Sequence, residues 1–256
     1  MSSPPARRRL LRYVLTALCV VMFGGPVLAL ALGQASLGRD WRHASQESAG
    51  LAPDPACHPE PVVQVYAART VGWRGAFAVH TWIAVKPADA SSYTRYEVIG
   101  WRLMRGAASA MSVSADRAAD AAWFGARPQL LRDLRGDAAA AVIARLPAAL
   151  GAYPYGGEYR AWPGPNSNTF VAWMGREIPE LRLAMPSNAI GKDYVPIGDI
   201  VGWSPSHTGV QVSLYGLAGA IVSGDEGIEL NLLGLVAGID FRHPGIKLPG
   251  VGRLPS

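Results

Sequence analysis

The segment FAVHTWIAVK, residues 77–86, decides the fold class of this sequence more than any other stretch. Its residues alternate between two faces, and most of them are β-branched or aromatic, which together predict a strand. One predicted face carries Phe77, Val79, Thr81, Ile83 and Val85, and the other carries Ala78, His80, Trp82 and Ala84. The strand therefore presents its histidine and its tryptophan on the same side.

Two similar segments flank this strand and complete a predicted meander. Residues 62–68 alternate and predict a first strand, while residues 93–101 are rich in aromatic and branched side chains and predict a third. The turn-like segment 87–92 separates the second strand from the third. The sequence therefore predicts an antiparallel sheet at the start of the folded region.

The middle of the chain predicts a helix followed by a further strand. Asp137 is placed to cap a helix over residues 138–146, and Pro147 would end or kink that helix. Residues 153–162 are rich in glycine and tyrosine and predict a strand that leads into a Pro-Gly loop.

A second helix is predicted directly after that loop. Asn166 or Ser167 would begin it, because both side chains are good helix caps, and it would stop before Pro179. Its apolar residues recur with helical spacing at Phe170, Trp173 and Met174.

The last third of the sequence alternates again. Residues 210–214 and 228–232 place apolar side chains at every second position, and the segment 223–227 is a turn. We expect a hairpin buried in the core, since the apolar stretches 217–222 and 232–239 are both too short to cross a membrane. The predicted fold class is α+β, with a mostly antiparallel sheet and a few packed helices in one domain over residues 61–256.

The N-terminus has the features of a membrane segment. Tyr13–Leu32 carries no charge and is long enough to span a bilayer, and arginines at positions 7, 8, 9 and 12 precede it. These arginines would hold the N-terminus in the cytoplasm, so that residues 1–35 anchor a bacterial-type envelope protein in the inner membrane by a single pass. A cleaved signal peptide remains an alternative, with cleavage sites at residues 29–31 or 33–35. Residues 36–60 would then form a polar tether.

Charge and cysteine content exclude several classes of function. The four leader arginines account for most of the formal net charge of +5 and leave +1 for the rest of the chain, which argues against nucleic acid as a partner. Cys19 lies in the leader and Cys57 in the tether, so the exported region has no disulfide and no metal-type cysteine cluster. We expect neither a metal nor another cofactor.

One constellation has the residue types for nucleophilic catalysis. Ser167 at a helix start would be the nucleophile, His80 on a strand its base, and Glu97 on the next strand the group that orients the base. Asn166 and Asn168, with the free N–H groups of the helix start, would bind substrate and stabilise an oxyanion. Each residue also has a structural interpretation, as a helix cap or as a paired strand residue.

Two resemblances bear on this constellation. The layout is similar to circularly permuted papain-like proteins of the NlpC/P60 superfamily, although these use cysteine where this sequence has Ser167. The motifs His80-Thr81-Trp82 and 164–170, GPNSNTF, together with residues 227–235, resemble an uncharacterised bacterial family, domain-of-unknown-function family 3750, over about residues 60–250. This second resemblance implies a common fold and no established activity.

The sequence leaves two functions open. In the first, a non-catalytic envelope domain binds cell-wall peptide, glycan or another envelope protein in a papain-like cleft. In the second, a hydrolase or transferase acts on cell-wall peptide or an acyl amide through Ser167 and His80. Tryptophans could line the binding groove in either case, although tryptophans are more often core residues. The candidates are Trp82, Trp101, Trp162 and Trp173.

Overall fold

A computed structural model describes residues 6–36, 38, 43–195 and 199–255 of the 256 residues. The helices are α1 (Ala6–Ala31), α2 (Gly100–Met104), α3 (Asp137–Gly151) and α4 (Ser167–Glu177), with short 3-10 helices at Gly72–Ala76 and Pro179–Leu181. The first five strands are β1 (Val62–Arg69), β2 (Val79–Lys86), β3 (Thr94–Val98), β4 (Met111–Ser114) and β5 (Gln129–Arg135). The remaining strands are β6 (Val201–Trp203), β7 (Gly209–Leu214), β8 (Ala218–Ser223), β9 (Gly227–Leu232), β10 (Leu235–Asp240), β11 (Gly245–Leu248) and β12 (Gly252–Leu254).

The first sheet is antiparallel, with strand order β4-β3-β2-β1-β5, and confirms the predicted meander and the α+β class. Every residue of β2 is buried, because the sheet is covered on both sides. Helices α3 and α4 pack on one side around Phe170 and Met174. On the other side, Trp82 packs beneath the segments that precede β1 and β5. These segments contribute Leu51 and Trp123 to the same cluster.

Three predicted elements before residue 152 have different bounds in the structure. The second strand begins at Val79 rather than at Phe77. The third strand ends at Val98, and Trp101 lies in α2 instead. Helix α3 continues through Pro147 to Gly151, since Leu146 and Ala149 on either side of the proline are buried against the core. Its N-cap is Gly136 rather than Asp137, which is the first helical residue.

Residues 153–162 do not form the predicted strand. They run as successive turns, since Pro154 and the pair Gly156-Gly157 interrupt any regular pairing. Tyr153 instead packs its ring against Phe170 and Trp173 of α4.

Helix α4 begins as the sequence predicts. Asn166 is its N-cap, and its side-chain oxygen accepts hydrogen bonds from the backbone N–H groups of Asn168 and Thr169 at 2.9 and 3.2 Å. The Thr169 hydroxyl in turn accepts from the N–H of Asn166 at 3.1 Å, which completes a capping box. The helix ends at Glu177, before Pro179.

The second sheet is a seven-stranded antiparallel meander, β12-β11-β10-β9-β8-β7-β6. Residues 210–214 and 228–232 are its strands β7 and β9, and β8 lies between them, so they do not pair in the predicted hairpin. The expectation that their apolar residues are buried is also wrong. The apolar residues of these two strands, such as Val210 and Leu230, are exposed, whereas the polar residues that alternate with them are buried.

An ion-pair network explains why the polar side of this sheet faces inward. Glu229 of β9 accepts from the Lys192 Nζ at 2.5 Å and from the Lys247 Nζ at 2.7 Å. Asp193 accepts from Lys192, from Gln211 and, through its other oxygen, from Asn231, at 2.8–3.0 Å. These groups are buried, so pairing them compensates for their loss of hydration.

Helix α1 is long and apolar enough to cross a membrane, a property that signal sequences share. Its buried residues Met22, Gly25 and Ala29 recur at helical spacing and face the folded region. Gly25 lies so close to the backbone carbonyl oxygen of Pro249, in the β11–β12 turn, that a Cβ at this position would collide with it. Helix and sheet are therefore in direct contact.

The segment before β1 also contacts the folded region. The Asp120 carboxylate accepts from the Ser48 hydroxyl at 2.7 Å and from the backbone N–H groups of Leu51 and Ala52. Leu51 packs against the aromatic cluster of the first sheet. Part of the predicted tether is thus held against the sheet.

The network at Glu229 leads to a stability prediction. Glu229→Gln removes the charge that two buried ammonium groups share, and breaking a buried pair in this way costs about 3–5 kcal/mol. Denaturant unfolding of the full chain measures this loss. Glu180→Gln is the matched control, because the Glu180–Arg145 pair is exposed and should contribute less than about 1 kcal/mol. Equal losses in the two variants would contradict this account of the second sheet.

Candidate functional site

Strand β2 places His80 and Thr81 on opposite sides of the first sheet. The His80 ring points toward Trp82 and stacks on Trp123 at 3.6 Å between centroids. The Thr81 hydroxyl points toward α4, where it lies 2.9 Å from the Asn168 side-chain oxygen and 3.3 Å from the Ser167 carbonyl oxygen. This follows from the alternation of side chains along a strand.

His80 and Glu97 form the pair that the sequence hypothesis requires. The His80 Nε2 lies 2.8 Å from the Glu97 Oε2, and both side chains are almost fully buried. Arg95 contacts the same carboxylate at 2.9 Å, and Arg117 approaches it at 3.6 Å. The Arg95 guanidinium also lies over the Trp82 ring, 3.9 Å from its centroid. Glu97 thus joins histidine, arginine and aromatic rings in one buried cluster.

Burial and charge set the protonation of this cluster. Burial lowers the pKa of His80 despite its hydrogen bond to Glu97, so the imidazole is neutral at pH 7. Burial alone would raise the pKa of Glu97, but His80 and Arg95 outweigh it and lower this pKa to about 2. Arg95 stays charged, although burial lowers its pKa to about 10. The cluster therefore holds an ion pair beside a neutral imidazole.

The start of α4 is occupied by structural hydrogen bonds. The Asn166 amide donates to the carbonyl oxygens of Ala161 and Ile190, at 3.2 and 3.1 Å, while its oxygen caps the helix. The Asn168 amide donates to the carbonyl oxygens of Val79 and Ile190, at 3.0 and 2.7 Å. Both asparagines therefore tie the helix to its neighbours.

His80 and Ser167 do not meet. The backbone of Ser167 packs against Thr81 on the helical side of the sheet, whereas the His80 ring is enclosed with Glu97 on the opposite side. The hypothesis of a nucleophile and its base requires both side chains in one pocket. The structure thus brings together His80 and Glu97, and separately Asn166, Ser167 and Asn168, without joining the two groups.

The tryptophans that were candidates for a binding groove are dispersed. Trp82 is fully buried and donates to the Ala119 carbonyl oxygen at 2.7 Å, while Trp101 stacks on Trp123. Trp162 is exposed and donates to the Leu233 carbonyl oxygen at 2.8 Å. Trp173 lines a separate cavity of about 270 Å³ beside α4. These four rings therefore do not form one surface.

A larger groove, of about 610 Å³, lies where the two sheets meet, and sequence reasoning missed it. Among the described residues, its lining contains many more basic side chains than carboxylates. The basic residues are Arg69, Arg127, Arg132, Arg182, Arg242, Lys247 and Arg253, and the carboxylates are Asp225 and Asp240. No signal in the sequence indicates this site, because its residues come from distant elements.

The groove has an excess of positive charge around Asp225. Arg182 contacts the Asp225 carboxylate at 3.4 Å, and Arg242 contacts its other oxygen. Arg132 lines the same groove, where burial and the charges of Arg182 and Arg242 lower its pKa although Asp225 acts in the opposite direction. Arg69 and Lys247 donate to groups within the protein, and Arg132 donates to the Leu181 carbonyl oxygen at 3.1 Å. The arrangement suits an anion, and the described residues contain no cluster of metal-ligating side chains.

The buried His80 makes stability depend on pH. The folded chain keeps His80 neutral, whereas the unfolded imidazole binds a proton below its ordinary pKa of about 6.5. The stability that neutral His80 contributes is therefore present above that pKa and declines as the pH falls below it. We expect the midpoint temperature of thermal unfolding to decrease as the pH is lowered from about 7 to about 5. The decrease should be smaller in His80→Gln. His58→Gln, at the His58–Glu60 surface pair, is the control. An unchanged slope in His80→Gln would contradict this assignment.

The comparisons with known proteins agree with one of the two resemblances. No curated protein and no solved structure matches the chain, so the papain-like similarity stays a prediction. A family described as "Protein of unknown function (DUF3750)" matches residues 60–194, which include the motifs around His80 and Ser167. The second sheet lies beyond the matched region. Because the match covers more than half of the chain, the protein belongs to the DUF3750 family.

Proposed function

We propose that this protein is a membrane-anchored envelope protein whose exported domain binds an anionic ligand in the groove between its two sheets, without catalysis. The observation that carries the proposal is the excess of basic side chains in the groove, where Arg182 and Arg242 share the single carboxylate of Asp225. A second anion in the groove would balance this positive charge. Ligands with carboxylate or phosphate groups fit these arginines, and cell-wall peptides, acidic glycans and acidic envelope proteins carry such groups.

Helix α1 supports the membrane part of the proposal. Residues 1–35 would anchor the chain in the inner membrane, residues 36–60 would lead away from it, and residues 61–256 would form the domain outside the cytoplasm. The arginines before Tyr13 favour a cytoplasmic N-terminus. Packing of Gly25 against Pro249 favours retention of the helix over its removal as a signal sequence.

The alternative function is a hydrolase or transferase with Ser167 as nucleophile and His80 as base. We do not favour it, because the first sheet lies between the two side chains and because the amides of Asn166 and Asn168 already donate to backbone carbonyl oxygens. Fluorophosphonate labelling that Ser167→Ala abolishes would favour the enzyme instead. The papain-like cleft stays a prediction in either case.

The membrane orientation can be tested with the two native cysteines, both of which are exposed in the structure. In intact cells, a membrane-impermeant maleimide should label Cys57, which lies outside, and should not label Cys19, which lies within the bilayer. Cys57→Ser is the control and should abolish labelling. A cysteine introduced at Ser3 in that background should stay unlabelled until the cells are lysed. Labelling at Ser3→Cys in intact cells would show the opposite orientation. An intact mass that lacks residues 1–31 or 1–35 would establish a cleaved leader.

The groove can be tested with inorganic pyrophosphate as a probe. Because a ligand that binds only the folded chain stabilises it, pyrophosphate should raise the midpoint of thermal unfolding of the full-length protein in detergent. The rise should be lost in the Arg182→Gln/Arg242→Gln double variant and should weaken at high salt. Arg145→Gln, an exposed arginine outside the groove, is the control. An equal rise in the double variant and the control would overturn the assignment of the groove.

A further inference from the structure

The outer side of the second sheet is apolar across all seven strands. The strand register aligns its outward residues in three rows that contain no charged or polar side chain, and every one of these residues is exposed or half-buried. We call these rows the apolar face. The first row is Trp203, Val210, Val222, Ile228, Ile239, Ile246 and Leu254; the second is Val201, Val212, Ala220, Leu230 and Ala237; the third is Leu214, Ala218, Leu232 and Leu235.

The size of the apolar face calls for an explanation. The four central strands have six residues and are about 20 Å long, the other three have three or four residues, and seven strands are about 30 Å wide, so the face covers roughly 500–600 Å². The largest apolar patch on a typical soluble monomer covers about 300–600 Å² and is often functional. A standard protein interface needs about 800 Å² from each partner, so the face is small for a stable dimer of this chain.

The two ends of the second sheet differ in polarity. One end carries the turns β7–β8, β9–β10 and β11–β12, with the exposed apolar side chains of Tyr215 and Leu233. The opposite end carries the turns β8–β9 and β10–β11, which contain the charged residues Asp225 and Arg242. The turns of the first end contain no charged residue, whereas those of the opposite end do, although Phe241 is also exposed there.

Helix α1 contacts the apolar end. Gly25 and Pro26 pack against Pro249 and Gly250 in the β11–β12 turn. Gly25 and Pro26 lie in the C-terminal half of the uncharged segment Tyr13–Leu32, which would face the outer side of the membrane, so this end of the sheet would lie at the outer boundary of the bilayer. The apolar face is thus continuous with the membrane segment at one end, and the charged turns are directed away from it.

We infer that the apolar face rests on the outer surface of the bilayer that α1 spans, with acyl chains and the headgroup boundary covering its three rows. This inference depends on the membrane anchoring proposed above. The sheet lies on the membrane and does not cross it, because the open edges of β6 and β12 would leave unpaired backbone groups in hydrocarbon. The face then corresponds to the apolar side of an interfacial amphipathic helix.

Site-specific quenching tests the inference on the full-length protein in lipid bilayers. In the Cys19→Ser/Cys57→Ser background, a bimane label at Leu230→Cys, in the middle row, should lose fluorescence when doxyl lipids are present. The same label at Val113→Cys should not, since Val113 is equally exposed but lies on the first sheet. A chain labelled at the native Cys19 alone, with Cys57→Ser, reports on the membrane segment. Near-ultraviolet circular dichroism checks that each labelled chain is folded.

The outcomes separate this inference from the proposed function. Quenching at positions 19 and 230, and not at 113, supports both. Quenching at 19 without quenching at 230 overturns the inference and leaves the anchor in place, and disulfide-linked dimers through Leu230→Cys would then identify a second copy as the occupant. No quenching at 19 overturns the membrane anchor and the inference together.

Discussion

The buried carboxylate of Glu229, held between Lys192 and Lys247, is the constraint on which the arrangement of the second sheet depends. Lys192 lies in the segment after α4, so this ion pair joins the sheet to the helical side of the molecule. Lysines on two sides lower the pKa of Glu229 against the effect of burial, which keeps the carboxylate charged. Once this side of β9 faces inward, the alternation of the strand directs Ile228, Leu230 and their row neighbours outward.

Much of the first sheet could be predicted from the sequence, and the orientation of the second could not. Alternation in residues 62–68 and 77–86 identifies strands, and the Asn166 cap identifies the start of α4, because both signals are local. Alternation in residues 228–232 also identifies a strand, but it does not say which face is buried. The partners of Glu229 lie 37 positions before it and 18 positions after it, and no local pattern reports such pairing.

The candidate catalytic site shows how a single position along a strand decides a mechanism. His80 and Glu97 meet, because the register of β2 and β3 places both side chains on the side of the sheet opposite α4. The hypothesis for Ser167 needed the opposite face, which Thr81 occupies. Sequence reasoning could place α4 after the Pro-Gly loop, but it had no means of deciding which side of the sheet the helix covers. The arginines of the groove could not be predicted from the sequence either, because only tertiary packing assembles them.

The contact between Gly25 and Pro249 has a consequence for how this protein can diversify. An ordinary leader can exchange residues freely, because nothing in the mature protein depends on its shape. Here any side chain larger than hydrogen at position 25 would displace the β11–β12 turn, so a change in the helix requires a matching change more than two hundred positions later. Helix α1 and the last strands should therefore evolve as one unit, and a helix transplanted from another protein would leave this turn without its support.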